Sequence, residues 1–547
     1  MKKNVFINYF HFILQIISIN WLIVLLINVL LIIETFINSI VMAEISKYLI
    51  DNVFVSQRLD NLRYIIPIYI MCYFLGLGIE LILTYMLIKW KIEIDYQLKN
   101  DFYKKMTEVK YEYLEKITSS ELFYRMFEDG SFISGYAYTI FIIIPSNLIC
   151  AGFILVILFS WSIPLSMYTL ALVVAEIVNL RIIRKPIERI NKKQKKINQF
   201  IVNFILEKLE FIDQTKAGNF KDWWIEKVRT EFQHANKITR ENQYKNTLLS
   251  KIVTFFEEFW TVGFLILGGY LSANNICTVG LFFSFQSLIN HLLLPLNKIF
   301  NGIFLFQETK VSFARYKEYY DLPIEEISGK PFKLNYALEI RNIDFSYNTN
   351  SHMIFNNFSL YMKKNELIGI KGESGCGKTT LLKLCTRLLE VKRGSICIDG
   401  VDIKDIDIAS FRENFNFMLQ TSVIFEDTLR NNITLGKEIN NEDIDEVIEK
   451  CHLTEVIIKL PNGIDTLVGK GGINFSKGEI QRIALARILL RKPSVIWLDE
   501  PTASLDEETE MYIIDTIVTI KNEMSCLVVV NTHSKNLLKY VDRIVTL

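Results

Sequence analysis

Apolar and polar positions divide the chain into two unlike halves. Up to about residue 300, long apolar runs alternate with basic stretches; beyond about residue 335, short apolar runs alternate with amphipathic segments and glycine turns. A transmembrane helix needs about 20 apolar residues. Six segments approach or exceed that length: 21–44, 64–88, 134–160, 162–180, 252–273 and 278–297. The third and fourth are split only around Ser160–Ser162, and the fifth and sixth by Ala273-Asn274-Asn275, so both turns are tight. Residues 4–19 read as an amphipathic interfacial helix. In the second half, Ala337–Phe345 alternates as a half-buried strand does, while Leu367–Ile370, Val495–Leu498 and Cys526–Val530 read as short buried strands. The expected fold is an all-α six-helix transmembrane domain over residues 1–320, a linker over 321–334, and a cytosolic α/β domain over 335–547.

Composition fits this division. The chain is 50% hydrophobic and 13% aromatic, with mean hydropathy +0.23, too apolar for a soluble protein of this length. A net charge of +1 gives no ground for a nucleic-acid partner. Lysine and arginine set the orientation. The segments 89–130 and 181–251 are basic, and both belong on the cytosolic side with the N-terminus and the second half. The run Arg181, Arg184, Lys185, Arg189, Lys192, Lys193, Lys195 and Lys196 reads as a solvated helix obeying that rule. Eight cysteines are scattered without C-x-x-C spacing, as core fillers in a reducing compartment are. No A-x-A-like site follows the first apolar run, so no cleavable signal peptide is expected.

The six spans carry no lysine or arginine, yet they carry Glu34, Glu80, Glu176, Glu257 and Glu258. A charge at membrane depth costs at least about 2.5 kcal/mol and normally faces a cavity or a partner. Gly76, Glu80 and Thr84 share one helix side, as do Thr169 and Glu176, while Asn28, Thr35, Asn38 and Ser39 cluster with Glu34. One reading is an acidic cavity for a cationic or amphipathic cargo. The other is a set of glutamates that hydrogen-bond between helices or sit near headgroups, with Glu257 and Glu258 at the cytosolic interface.

The second half carries a phosphate loop, GESGCGKT, from Gly372 to Thr379, between a strand and a helix expected at Thr380–Leu389. Its glycines let backbone N–H groups close on a phosphate at the positive end of the helix. Gly372, Ser374, Gly375, Cys376, Gly377, Lys378, Thr379 and Thr380 are therefore candidate ATP contacts. Lys378 is expected to bridge the β- and γ-phosphates and Thr379 to ligate Mg²⁺. The strand Val495–Leu498 ends in Asp499, placed to hold Mg²⁺ through water, and Glu500, placed to polarise the attacking water. His533, after a further strand, is a candidate γ-phosphate contact; the alternative is a structural histidine.

With these residues the chain resembles an ATP-binding cassette exporter half-transporter, over nearly its whole length. Through that resemblance, Tyr347 in FSY matches an adenine-stacking aromatic and Gln420 a glutamine that senses Mg²⁺ and the membrane domain. Ser476, Gly478 and Glu479 lie in the signature turn that caps the γ-phosphate of ATP on the opposite subunit, and Ser504-Leu505-Asp506 in the loop crossing that interface. Segments 113–130 and 213–224 resemble coupling helices. The resemblance implies a homodimer or heterodimer with two sandwiched nucleotides, embedded in a bilayer and exporting a peptide or small molecule, with lipid flipping as the alternative cargo reading. An ATP-gated or regulatory subunit fits poorly because Glu500 is present.

Three departures stand out. The signature reads Phe475-Ser476-Lys477-Gly478-Glu479 instead of LSGGQ, so a lysine replaces a glycine and Glu479 is expected to bring an unfavourable charge. The preceding segment reads Val468-Gly469-Lys470-Gly471-Gly472, reversing the usual glutamate's charge. The chain stops at Leu547 soon after a final strand, without the usual C-terminal segment, and hydrolysis is expected to survive this.

Overall fold

The computed structural model describes residues 9–14, 21–325, 329–347, 353–373, 375–469, 471–503 and 505–547. These form two compact units. The first comprises residues 1–104 and 122–320, the second residues 105–121 and 321–547.

Among its described residues the first unit contains no strand. Its helices are α1 (Trp21–Val55), α2 (Leu62–Glu108), α4 (Ser119–Trp161), α5 (Ile163–Glu210), α7 (Lys221–Ala273) and α8 (Val279–Tyr320). The one-turn α3 (Tyr111–Leu114) follows α2, and the short α6 (Ile212–Ala217) joins α5 to α7. Five of the long helices are apolar enough to cross a membrane, and Ile163–Asn179 at the start of α5 is a shorter apolar stretch. The predicted spans are therefore parts of much longer helices. At 1.5 Å per residue, α2, α5 and α7 run roughly 70–80 Å, more than twice a bilayer's hydrocarbon thickness. The amphipathic segment expected at 4–19 is helical at residues 9–14, and its remainder lies outside the described residues.

The membrane core gathers Ile154, Leu158, Leu165, Phe264, Phe285, Leu288 and Leu292 from α4, α5, α7 and α8. Beyond the spans the contacts become polar. Along α5 and α7, Gln194 Nε2 donates to Thr239 Oγ1 at 2.9 Å and Asn242 Nδ2 to Gln194 Oε1 at 3.0 Å. Where α4 meets α8, Asp129 is 1% exposed and accepts from Arg125 Nη1 at 3.1 Å and Arg315 Nη2 at 2.7 Å. The Tyr316 hydroxyl donates to the Leu98 carbonyl at 3.0 Å, tying α8 to α2.

The second unit is α/β. The strands β1 (Ala337–Phe345), β2 (Phe355–Lys363), β4 (Arg393–Ile398) and β5 (Val401–Asp402) form an antiparallel sheet in the order β2-β1-β4-β5. The strands β3 (Leu367–Lys371), β6 (Phe415–Met418), β9 (Val495–Asp499), β10 (Leu527–Asn531) and β11 (Arg543–Thr546) form a parallel sheet in the order β11-β3-β10-β9-β6. A two-stranded ribbon pairs β7 (Asp427–Thr428) with β8 (Leu467–Val468). Every residue of β9 and β10 is buried, as continuous apolar runs in a covered parallel sheet should be. Trp497 is the largest fully buried side chain. The helices that position the site are α9 (Lys378–Cys385), α10 (Lys477–Arg491) and α11 (Glu507–Met524).

Removing the Asp129 carboxylate while leaving both arginines exposes an uncompensated buried charge, at a cost of about 3 kcal/mol or more. Asp129→Leu is therefore expected to lower the thermal midpoint of the detergent-solubilised protein. An unchanged midpoint would show that the triad does not anchor α4 to α8.

Candidate nucleotide site and membrane cavity

The site assembles at the carboxyl ends of the parallel strands. β3 runs into the phosphate loop, and Gly377, at φ +107°, turns the chain into α9. A Cβ at Gly377 would lie 2.7 Å from Ile354 Cγ2, so the turn needs glycine on both counts. Lys378 is buried, and its Nζ donates to the carbonyls of Gly372 at 2.7 Å and Glu373 at 3.2 Å. The same ammonium lies 2.8 Å from His533 Nε2. An ammonium has only donors, so this nitrogen of His533 accepts and the ring proton sits on Nδ1.

The two carboxylates are held differently. Asp499, 4% exposed, accepts from Thr379 Oγ1 at 2.8 Å and from Asn531 Nδ2 at 2.9 Å. Asn531 is fully buried, and its Oδ1 accepts from Trp497 Nε1 at 3.2 Å. Glu500 adopts φ +51°, a left-handed conformation rare for this residue type. Its backbone is fixed by hydrogen bonds from its N–H to the Asn531 carbonyl, at 2.9 Å, and from the Ala503 N–H to its own carbonyl, at 3.2 Å. The side chain accepts from Gln420 Nε2 at 2.9 Å and lies 3.8 Å from His533 Nε2. Lys378, Thr379, Gln420, Asp499, Glu500 and His533 thus form one connected network. Tyr347 stands at its edge, its hydroxyl 3.3 Å from Thr380 Oγ1. Gly372, Gly375 and Cys376 complete the described loop, and Ser374 lies outside the described residues. The hard oxygens of Thr379 and Asp499 suit Mg²⁺, which takes few protein ligands and leaves the rest to water and phosphates.

The signature turn differs from expectation. Ser476 caps α10, and Glu479 folds back on it. The Glu479 N–H donates to Ser476 Oγ at 3.3 Å, while Glu479 Oε2 accepts from the Ser476 N–H at 2.7 Å and its hydroxyl at 2.8 Å. The expected unfavourable charge is therefore partly spent inside a capping box. Lys477 Nζ donates to the Ala503 carbonyl at 2.9 Å, joining the turn to the following loop. Gly478 has no room for a side chain, since a Cβ would meet Thr509 Cγ2 at 2.4 Å. Ser504 and Lys470 lie outside the described residues.

In the membrane unit, Glu34 Oε1 accepts from Asn38 Nδ2 at 2.8 Å, and Glu34 is within electrostatic reach of Glu80 and Lys298. Lys298 lies one residue past the last predicted span, on the unbroken α8, so the acidic group is not without a cation as the sequence implied. A π-helical stretch, Phe36–Val41, begins beside Glu34, a distortion often found at functional positions. Next to it a cavity of about 220 Å³ is lined by Ile32, Ile33, Thr35, Phe36, Cys150 and Phe153, among others. Glu176 is buried in α5, Glu258 is exposed, and the Glu257 side chain lies outside the described residues.

Some of this escaped the sequence reading. Asn531 is the polar end of the apolar run LVVVN, and register places it opposite both Asp499 and Ile370. Arg487 on α10 donates to the carbonyls of Asn432 at 2.6 Å and Val423 at 2.7 Å, steadying the chain after Gln420. Burial pulls the Arg487 guanidinium down to about 10, with Arg491 adding to the effect.

A helical membrane unit and a phosphate-loop α/β unit on one chain define a membrane protein powered by a nucleoside triphosphate. The chain belongs to the ABC transporter family: residues 23–296 match the ABC transporter transmembrane region, and residues 355–503 match the ABC transporter domain. It is 26% identical over 513 residues to an ATP-dependent lipid A-core flippase of Desulfotalea psychrophila, spanning 92% of this chain and 88% of the relative. The identity is again 26%, over 92% of this chain and 70% of the relative, with the cyclolysin secretion/processing ATP-binding protein CyaB of Bordetella pertussis. The fold matches a bacterial Atm1-family ABC exporter with ATP bound, with TM-score 0.80, 20% identity, and 96% and 92% of the two chains covered. The protein is a multi-pass membrane exporter that binds ATP and couples its hydrolysis to transport. Its half-transporter architecture goes with dimerisation.

Replacing Asn531 by leucine strips one hydrogen bond from a buried carboxylate, worth about 1–3 kcal/mol. Asn531→Leu is expected to cut ATP turnover roughly tenfold while ATP still binds. Full turnover would show that Thr379 alone orients Asp499.

Proposed function

We propose that this exporter moves a cationic amphiphile, a peptide or a small molecule, outward across the cytoplasmic membrane. The observation that carries the reading is the Glu34 carboxylate on α1 near an apolar cavity between α1 and α4: Glu34 does not line the cavity, but it lies within electrostatic reach of Cys150, which does. An amphiphile needs both an apolar wall and a counter-charge. Glu80 supplies a second carboxylate within electrostatic reach. Lys298 would hold the acidic pair between transport cycles and yield when a cargo cation enters.

In the ATPase unit the proposed roles follow the network. Lys378 and the loop N–H groups bind the β- and γ-phosphates, and Tyr347 stacks on adenine. Thr379, Asp499 and Gln420 hold Mg²⁺, which neutralises phosphate charge when bound. Glu500 polarises the attacking water. His533, its Nε2 an acceptor toward Lys378, stands beside the γ-phosphate with Nδ1 protonated. Two chains would share two nucleotides, each lying between one phosphate loop and the other chain's Ser476–Glu479 turn. Nucleotide closure then drives alternating access, because ATP prefers one of two states. Lipid flipping is the second reading, favoured by the relative named a lipid A-core flippase, which matches along 92% of this chain.

Two measurements test these assignments. In inverted vesicles, Glu34→Gln with Glu80→Gln is expected to reduce ATP-dependent uptake of a cationic amphiphile at least fivefold, an effect of about 1 kcal/mol, without changing basal ATPase. Unchanged uptake, with active flipping of labelled lipid, would shift the assignment to lipid. Separately, the chain purified alone is expected to hydrolyse ATP, and Glu500→Gln to lower turnover by roughly 10²–10⁴ while ATP binding persists. No turnover by the lone chain would make its partner a different half-transporter.

A further inference from the structure

The helix α2 does not end at the membrane. It continues to Glu108, where the chain pairs with the linker. Val109 bridges Ile324, the Lys110 N–H donates to the Pro323 carbonyl at 3.0 Å, and the Glu325 N–H to the Glu108 carbonyl at 2.8 Å. The one-turn α3 and Glu115 then lie against α9, inside the second unit. Glu115 Oε1 accepts from Lys383 Nζ at 2.5 Å, and that ammonium stands 5.4 Å from the centre of the Tyr111 ring.

Lys383 is not an ordinary surface lysine. Its side chain is only 15% exposed. Burial is the largest single influence and disfavours its charge, yet the hydrogen bond to Glu115 together with the electrostatic effects of Tyr111, Tyr347 and Glu115 outweighs it and raises its pKa. It also sits on the eight-residue helix whose first turn carries Lys378, Thr379 and Thr380. Such a short helix moves as a rigid piece. A shift or rotation that follows Lys383 displaces the groups that meet the phosphates. Tyr347 also acts electrostatically on Lys383, so the adenine edge and the ion pair meet on one side of α9.

We infer that Glu115 is a positioning residue for nucleotide binding: through Lys383 it sets the pose of α9, and thereby lets the state of α2 tune ATP affinity. This rests on the assignment of the loop Gly372–Thr379 to phosphate binding, and is independent of cargo identity. Thermodynamic reciprocity then requires that ATP binding bias α2 by the same factor. The docking leaves slack for such movement. A cavity of about 260 Å³ lies between Lys110, Tyr111 and Glu112 on one side and Arg387, Leu388 and Glu390 on the other. A second ion pair, Lys110 to Glu390 at 2.7 Å, clamps the same segment but reaches the chain beyond the end of α9. It serves as an internal control.

The test uses the full-length protein in nanodiscs, with a fluorescent ATP analogue for Kd and turnover for KM(ATP). Glu115→Gln and Lys383→Gln are each expected to raise both constants three- to tenfold, with little change in thermal midpoint. Lys110→Gln is expected to leave them within twofold. The reversed pair Glu115→Lys with Lys383→Glu should restore much of what either reversal alone loses. The inference is overturned by any of three results: unchanged Kd in the single variants, an equal effect of Lys110→Gln, or a reversed pair no better than the sum of its parts. Loss of all nucleotide binding in a Lys378→Ala control is required; its absence would instead overturn the phosphate-loop assignment.

Discussion

The buried carboxylate of Asp499 is the constraint on which the catalytic half depends. It ends β9, an interior strand of the parallel sheet between β10 and β6, with α9 reaching it through Thr379 and β10 through Asn531. A carboxylate 4% exposed is tolerable only when its oxygens are occupied. Both bonds therefore act as locks: one fixes the first turn of the phosphate helix, the other the register of two strands. Glu500 inherits its position from the same register. Its N–H bonds to the Asn531 carbonyl, which helps hold its left-handed backbone and leaves the side chain facing Gln420 and His533. Strain at this residue costs of order 1–3 kcal/mol, and the hydrogen-bonded frame around it is what sustains that cost.

The chemistry most legible in the sequence was local. A phosphate loop is eight consecutive residues between a strand and a helix, and Asp499-Glu500 closes an apolar run, so spacing alone assigned them. Asn531 was not legible because its importance comes from register, which pairs it with a residue 32 positions away. Lys298 was missed for a different reason. Counting apolar residues cut the last span at 297, whereas the hydrogen-bonded helix continues to Tyr320 and ignores that boundary. The span ends were likewise understated, because apolar windows report the bilayer and not the length of α2, α5 and α7.

The signature turn shows a local rule overtaking a comparison of motifs. Measured against LSGGQ, Glu479 is a misplaced charge. Measured against helix-capping chemistry, Ser476-x-x-Glu479 is the capping-box pattern itself, and the structure forms it. The same carboxylate oxygen accepts from both the backbone and the hydroxyl of Ser476. An approaching phosphate would compete for those donors with a group already tethered there. A turn whose donors are already occupied by its own carboxylate is more stable in isolation. This feature arises from one residue, while Asp499 and Glu500 on the same chain keep their hydrogen bonds to Thr379, Asn531 and Gln420.

The two halves of the chain differ in what their polar contacts must do. In the ATPase unit, buried hydrogen bonds hold single side chains such as Asp499 in one position, as catalysis requires. In the helical unit, the polar contacts are spread along helix faces: the amides between α5 and α7, the Asp129 triad, and the Glu34–Asn38 bond beside a π-helical stretch. The amide contacts let long helices slide or tilt at low cost, because amides exchange partners without leaving a charge uncovered, whereas the Asp129 triad pins α4 to α8. The segment from Val109 to Glu115 must reconcile these behaviours, since it continues a long membrane helix yet packs with the rigid unit. A few exposed or half-buried ion pairs suit that task better than an apolar interface. Such pairs are weak enough that one can be changed without unfolding either half.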